Sequence, residues 1–371
     1  MLSRFSVKNF KSFNDWTTLN LSDISNYEFN SICIKNATIN KALIYGHNGV
    51  GKSNLGLALF DIILHTTDKN SNASLYSNYL NAESAEDIAE FDYLFKFGES
   101  RLRYQYGKRT SDDLVYEIIS VDDEIIISYN RKQDSSLIIN LPGTETLNRD
   151  LAQIKISIVK YIKSNAVLES TAINRTMTDF FRFTDNMLLF WSLEYRSYQG
   201  YETGTSSIIA DIIDKGHFDN FKLFLSTAGV ESNIKPTEVN GEKRILFEFK
   251  NRSIDFWSNC STGMRSLTLF YYWLQKIKFE NNSPSLLFID EFDAFYHLSI
   301  SERIVNELLA NSCQVILTTH NTSLMSNDLL RPDCYFLMYK NRIDSLSHLT
   351  DKEIRKAHNI EKMYRAGVFN E

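Results

Sequence analysis

Apolar residues along the chain follow one of two periods, and the places where the period changes divide it. Residues 5–21 alternate apolar with polar, which predicts two strands, 5–10 and 16–21, around a turn at 12–15. A short apolar run at 42–45 predicts a buried strand, and residues 54–64 then take a helical pattern. The Asn- and Ser-rich stretch 66–82 reads as surface loop or short helices. From 91 to 139 the period returns to two, with strands expected at 91–97, 102–106, 114–121, 124–129 and 137–139. Gly98-Glu99-Ser100 and Asp122-Asp123 supply hairpin turns, and Pro142-Gly143 closes the meander.

Helical spacing then takes over. Ile154, Ile158, Tyr161 and Ile162 share one face within 151–167, and 173–191 and 207–228 continue in that style, so a helical insertion is expected. Residues 244–256 alternate again, with Ile245, Phe247 and Phe249 on one face. The last third reads as helix 266–279, buried strand 285–289, helix 300–309 and buried strand 314–319. Continuous apolar strands separated by helices imply a parallel sheet, because only a strand covered on both faces can dispense with alternation. The expected fold class is therefore α/β, a mixed or parallel sheet core with an antiparallel β subdomain and a helical insertion. Its expected divisions are an N-terminal lobe at 1–145, a helical lobe at 146–240 and a C-terminal lobe at 241–371. No heptad run is present, so the insertion suits a compact lobe and not a long coiled coil.

Composition narrows this only slightly. With 371 residues, 43% hydrophobic and 23% charged, the chain has ordinary globular composition and room for more than one subdomain. A net charge of -6 gives no global electrostatic case for nucleic-acid binding, though a local basic groove stays open. The N-terminus lacks the apolar core of a signal peptide and no later run has the length of a membrane span, so a cytoplasmic protein with no membrane partner is expected. Cys33, Cys260, Cys313 and Cys334 are scattered without close pairs and read as reduced core thiols.

Between the strand at 42–45 and its helix lies Gly46-His47-Asn48-Gly49-Val50-Gly51-Lys52-Ser53, the spacing of a phosphate-binding P-loop. Glycines there let successive backbone N–H groups wrap a phosphate chain where a Cβ would block approach, and the helix N-terminus adds free donors and its dipole. In this reading Gly46, Asn48, Gly49, Gly51, Lys52, Ser53 and Asn54 bind ATP, Lys52 reaching the β- and γ-phosphates and Ser53 ligating Mg²⁺. The apolar run 286–289 ends in Asp290-Glu291, two carboxylates at the strand edge where ligands of parallel sheets bind. Asp290 suits the Mg²⁺ shell and Glu291 the deprotonation of an attacking water, with Asp293 the next candidate base. His320 directly follows the strand 314–319 and is placed to meet the γ-phosphate or that water. Ser261-Thr262-Gly263 opens a helix; taken alone it is an ordinary N-cap sequence.

In chain order these elements resemble an ABC-type ATPase head. Together with Phe5-Ser6-Val7-Lys8-Asn9-Phe10-Lys11-Ser12-Phe13, Asp290-Glu291-Phe292-Asp293 and Thr319-His320-Asn321, they are similar to the RecF/OLD-related ATPases. The tail Tyr364-Arg365-Ala366-Gly367-Val368-Phe369 resembles the Tyr-x-x-Gly-x-Phe ending of the abortive-infection AbiLi/RloA-like branch, which includes ATPase subunits of PARIS-like anti-phage systems. The resemblance implies a head-to-tail homo-oligomer in which Ser261 and Gly263 meet ATP held by another subunit. It further implies a separate effector, such as a Toprim-like or HNH nuclease, and a phage-encoded trigger. OLD-type relatives carry a fused Toprim nuclease, for which no space is expected here. A RecF-like repair ATPase binding duplex DNA and a slowly hydrolysing nucleotide-dependent scaffold are the alternatives. The chain departs from the ABC pattern in two places: no Q-loop glutamine is apparent, Gln105 falling within a strand, and Thr262 stands where the signature has a second glycine.

Overall fold

The computed structural model describes residues 1–69, 73–131, 137–149, 156–191, 198–200, 208–231, 233–279 and 284–369. The chain opens with β1 (Leu2–Lys8) and β2 (Thr17–Asn20), then a short ribbon of β3 (Ile34–Lys35) and β4 (Thr38–Ile39). Next come β5 (Lys41–Tyr45), α1 (Lys52–Phe60) and α2 (Ile62–Thr66), the strand, loop and helix expected around the P-loop. The meander follows as β6 (Ala89–Phe97), β7 (Ser100–Lys108), β8 (Leu114–Val121), β9 (Glu124–Asn130) and β10 (Ile138–Ile139). It joins the N-terminal pair in one antiparallel sheet of order β10-β9-β8-β7-β6-β1-β2. Alternation decides the covered face: Phe91, Tyr93, Phe95, Leu102, Tyr104 and Tyr106 are all buried.

Helices α3 (Ile158–Asn165) and α4 (Ala172–Asp185) begin at Ser157 and Thr171, whose side chains accept the N–H groups of Lys160 and Asn174 as N-caps. The expected helix over 173–191 does not continue, because α4 ends at Asp185 and β11 (Met187–Trp191) is a strand. An unbroken apolar run of five residues has no period to read, and its pairing partner settles what it becomes. Residues 151–155 and 207 of the expected helices lie outside the described residues.

After β12 (Tyr198–Gly200), α5 (Ile208–Asp214) and α6 (Phe218–Thr227), a small antiparallel sheet forms from β13 (Ile234–Val239), β14 (Glu242–Glu248) and β15 (Ser253–Asp255). The periodicity pointed to β14 but not to β13, whose Pro236 is tolerated because β13 is an edge strand. Then come α7 (Phe256–Asn259), α8 (Thr262–Phe279), β16 (Leu286–Asp290), α9 (Leu298–Leu309), β17 (Gln314–Thr319), β18 (Tyr335–Tyr339), β19 (Arg342–Ser345) and α10 (Ile360–Arg365). Helix α8 starts at Thr262, earlier than the expected 266, which puts Gly263 in its first turn. Strands β18 and β19 were not anticipated.

The second sheet has the order β12-β11-β16-β17-β5-β18-β19. Its inner strands β11, β16, β17, β5 and β18 run parallel, and the edges β12 and β19 are antiparallel. Every residue of β5, β16 and β17 is buried, the pattern of strands covered on both faces. The buried Gln314 side chain stitches the two sheets together: Oε1 accepts Leu2 N–H at 2.9 Å, and Nε2 donates to the carbonyls of Leu2 (2.8 Å) and Ile39 (3.0 Å). Beneath the P-loop helix, Asp61 and Lys108 form a fully buried ion pair at 2.8 Å. Tyr79 and Tyr106 hydroxyls also donate to that carboxylate, at 2.8 and 3.0 Å.

Candidate functional site

Parallel strands β16, β17 and β5 are neighbours, so the segments leaving their C-terminal ends converge. These are Asp290-Glu291 after β16, His320 after β17 and the P-loop after β5. The loop itself is shaped by glycine at two points where other residues would be strained, Gly49 (φ 84°) and Gly51 (φ 105°). A Cβ on Gly51 would also lie 2.5 Å from Ser12 Oγ, so the turn after β1 is packed directly against the loop. Asn54 Nδ2 donates to the same Ser12 hydroxyl at 2.9 Å. His47, Asn48 and Gly49 are exposed at the tip, whereas Gly46 is buried.

Lys52 is 4% exposed and folds back over the loop, donating to the carbonyls of Gly46 (2.8 Å) and His47 (3.2 Å). Its Nζ is 3.7 Å from Glu291 Oε1. Ser53 Oγ donates to Asp290 Oδ2 at 2.6 Å. The other carboxylate oxygen, Oδ1, accepts the Thr318 hydroxyl at 2.7 Å, and the same Thr318 Oγ accepts the Glu291 N–H at 2.7 Å. Glu291 has φ 42°, a left-handed backbone uncommon for a side-chain-bearing residue and characteristic of functional sites. Asp293 is buried beside Thr319, Asn321 and His320, and that burial raises its carboxyl above the usual range. Glu291, only partly buried and facing Lys52, is the more accessible of the two candidate bases.

His320 is exposed at the end of β17, and Asn321 starts the following turn by accepting Ser323 N–H at 3.1 Å. Ser261 is exposed too, and its Oγ accepts Met264 N–H at 3.2 Å, an N-cap of α8. The missing Cβ of Gly263 faces the Phe295 carbonyl, 3.2 Å away, on the turn after Asp290-Glu291. The fold thus joins Lys52, Ser53, Asp290 and Glu291 directly, and it puts Ser261 and Gly263 at a helix start backed by the Phe295 turn. Sequence reasoning missed Thr318 and Ser12. A hydroxyl pair ending an otherwise apolar strand, Thr318-Thr319, was the signal for the first; the second stands in the Phe5–Phe13 stretch that carries the family resemblance, but spacing did not place it against the P-loop.

This strand order and this meeting of P-loop serine, strand-end aspartate and adjacent glutamate define a P-loop ATPase fold with an added antiparallel sheet. The chain belongs to the AAA domain family described as putative AbiEii toxin of type IV toxin–antitoxin systems, which residues 41–326 match. No curated protein matches it in sequence. Among solved structures it is similar to an SMC head bound to the C-terminal winged-helix domain of ScpA, at 15% identity and TM-score 0.47 over 93% of this chain and 97% of that one. It is also similar to the SMC head domain from Thermotoga maritima (14% identity, TM-score 0.41, 93% and 97% covered). A third likeness is to the recombination mediator RecF, at 13% identity and TM-score 0.40, covering 93% and 98%. Among the described residues, no helix is long and apolar enough to cross a membrane.

Proposed function

We propose that this protein is an ATP-hydrolysing ABC-type switch of a bacterial abortive-infection system, which dimerises head-to-tail around ATP and controls a separate effector such as a Toprim-like or HNH nuclease. The observation that carries the ATPase reading is the hydrogen bond from Ser53 to Asp290, flanked by the Lys52–Glu291 pair. The family's description as a putative toxin of a toxin–antitoxin system supports a role in growth arrest or defence, and a cytoplasmic location follows from that role.

The donor set fits Mg²⁺. The Ser53 hydroxyl and the Asp290 carboxylate lie 2.6 Å apart, and a hydroxyl with a carboxylate is what Mg²⁺ takes from a protein when phosphates and water supply the rest. Ser53 and Asp290 are the residues that would hold it; when bound, it neutralises charge on the β- and γ-phosphate oxygens. Lys52 binds the same oxygens, while the backbone N–H groups of the loop at Asn48, Gly49 and Gly51 line the phosphate chain and Asn54 holds Ser12 against it. The Gly46 N–H, expected to join them, donates instead to the Thr319 carbonyl at 3.3 Å, so Gly46 serves as the buried start of the loop. Glu291 accepts the proton of the attacking water, and its backbone is fixed by Thr318. His320 meets the γ-phosphate. Ser261 and Gly263 close on ATP held by the partner subunit.

The test is expression of this chain alone and with the product of its neighbouring reading frame, under phage challenge. The chain alone is expected to be harmless and unprotective, and the pair to give phage-dependent toxicity. Protection by the chain alone counts against a separate effector. Salt-dependent affinity of the purified protein for duplex DNA, with no effect on phage, favours the RecF-like alternative.

A further inference from the structure

Helix α10, which leads into the tail motif, sits across two segments of the candidate nucleotide site. Helix α10 is capped by Asn359, whose Oδ1 accepts Lys362 N–H at 2.8 Å. It ends in a C-cap that explains the motif's glycine. Gly367 takes φ 70°, with Val368 N–H donating to Met363 O at 3.1 Å and Gly367 N–H to Tyr364 O at 2.9 Å. That reversal sends Phe369 into the core, where it is buried. The motif's tyrosine, Tyr364, meets Tyr45 edge-on with ring centroids 5.2 Å apart. Tyr45 is the last residue of β5, and its ring is 5.9 Å from that of His47 in the P-loop.

At the other end of the helix, Glu361 reaches the turn that follows His320. One oxygen, Oε1, accepts the hydroxyls of Thr322 (3.3 Å) and Ser323 (3.1 Å) as well as Arg365 at 2.7 Å. Three donors on one carboxylate oxygen make this the polar anchor of α10, and a carboxylate in that position is a stronger acceptor than a neutral group. The turn it grips is stiff: besides the Asn321 cap, Met325 N–H donates to Thr322 O at 2.9 Å. His320 is separated from Thr322 by Asn321 alone, so a shift of His320 carries the two hydroxyls with it.

We propose that Glu361 is a positioning residue for His320, acting through Thr322 and Ser323, and that α10 reads the nucleotide state by being held to the His320 turn and to the end of the P-loop strand together. This rests on the ATPase reading above. When His320 engages a γ-phosphate, the turn, Glu361 and α10 move or stiffen as one body, and ADP leaves them unchanged.

The experiment uses the full chain with ATPγS and ADP as probes, and reads nucleotide affinity, turnover and backbone hydrogen exchange over residues 359–369. In the wild type, ATPγS is expected to slow exchange in this segment relative to ADP. Glu361→Ala should abolish that difference, cut the preference for ATPγS over ADP by about fivefold or more, the lower end of usual coupling between sites, and leave ADP affinity within about twofold. It should lower kcat with little change in KM. Glu361→Gln, whose amide oxygen still accepts hydroxyls, should restore most of the difference. The paired substitution Thr322→Val with Ser323→Ala removes the donors while leaving α10 untouched, and should reproduce the Glu361→Ala result even if that variant loosens the tail. An exchange difference that survives in the Thr322/Ser323 variant, or is missing from a wild type that binds both nucleotides, overturns the proposal. Failure of the wild type to bind either nucleotide overturns the ATPase reading along with it.

Discussion

Ser53 Oγ donates to Asp290 Oδ2 at 2.6 Å, although the two residues stand 237 positions apart, Ser53 in the first turn of the helix that follows β5 and Asp290 at the end of β16, two strands that are not neighbours. The strand between them, β17, supplies Thr318, whose hydroxyl donates to the other oxygen of Asp290 and accepts the N–H of Glu291. One threonine thus fixes both carboxylate-bearing residues. Thr318→Val keeps the shape and removes the hydroxyl, leaving the Glu291 N–H and one Asp290 lone pair without it. A loss of about 1–3 kcal/mol in stability is expected from buried polar groups left unsatisfied. Turnover should fall as well, since Glu291 is no longer held. Denaturant unfolding with parallel ATPase assays checks this, and wild-type values in both would remove Thr318 from the site.

Lys52 gathers the carbonyls of Gly46 and His47 and the Glu291 carboxylate around its ammonium group. Lys52→Ala is expected to lower ATP affinity by roughly 10- to 100-fold, the worth of a charge-assisted hydrogen bond. Titration calorimetry measures it directly. Unchanged affinity would sink the P-loop assignment.

Glu291→Gln should bind ATP and hydrolyse it more slowly by about 10²–10⁴-fold, because an amide cannot take the proton from water. Single-turnover assays separate this from any change in binding. If turnover persists and is lost instead in Asp293→Asn, the base is Asp293, whose burial already raises its carboxyl.

Buried Lys108 answers Asp61 at the end of the P-loop helix. Burial lowers the Lys108 pKa, and the adjacent Asp61 charge opposes that shift. Lys108→Met should cost about 3–5 kcal/mol by stranding a carboxylate in the core, whereas Asp61→Leu with Lys108→Met should cost less than the two single changes added. Chemical denaturation of the three variants decides this; strict additivity would mean the pair is not coupled.

A composite site makes a different kind of prediction. Lys52→Ala and Gly263→Asp are each expected to be inactive as homodimers, and mixing them should partly restore hydrolysis. One interface of the mixed dimer then carries both lesions, and the other pairs an intact P-loop with an intact Ser261–Gly263 helix start. Gly263→Ala is the control, because any Cβ at this position already presses on the Phe295 carbonyl at 3.2 Å. If Gly263→Ala is as inactive as Gly263→Asp, the defect is local crowding and not blocked closure. No recovery in verified mixed dimers argues against sharing.

The sequence by itself determined those parts of the protein whose chemistry is local. A P-loop is contiguous, so the glycines at 49 and 51, Lys52 and Ser53 are legible from spacing, and the positive φ of both glycines follows from the need for an unblocked backbone. Buried parallel strands announce themselves as unbroken apolar runs, as at 286–289, and the meander shows its period of two. Tertiary structure decided whatever depends on which strands become neighbours. Met187–Trp191 is helix or strand by composition alone, and its pairing with β16 makes it a strand. Thr318 becomes part of the site because β17 lies between β5 and β16, and Ser12 because the turn after β1 packs on Gly51. The tail's Tyr364 and Glu361 acquire meaning only when α10 is laid across Tyr45 and the His320 turn. Spacing encodes contacts a few residues apart; contacts across hundreds of residues are fixed by sheet order, which burial of the whole core selects and no short window of sequence contains.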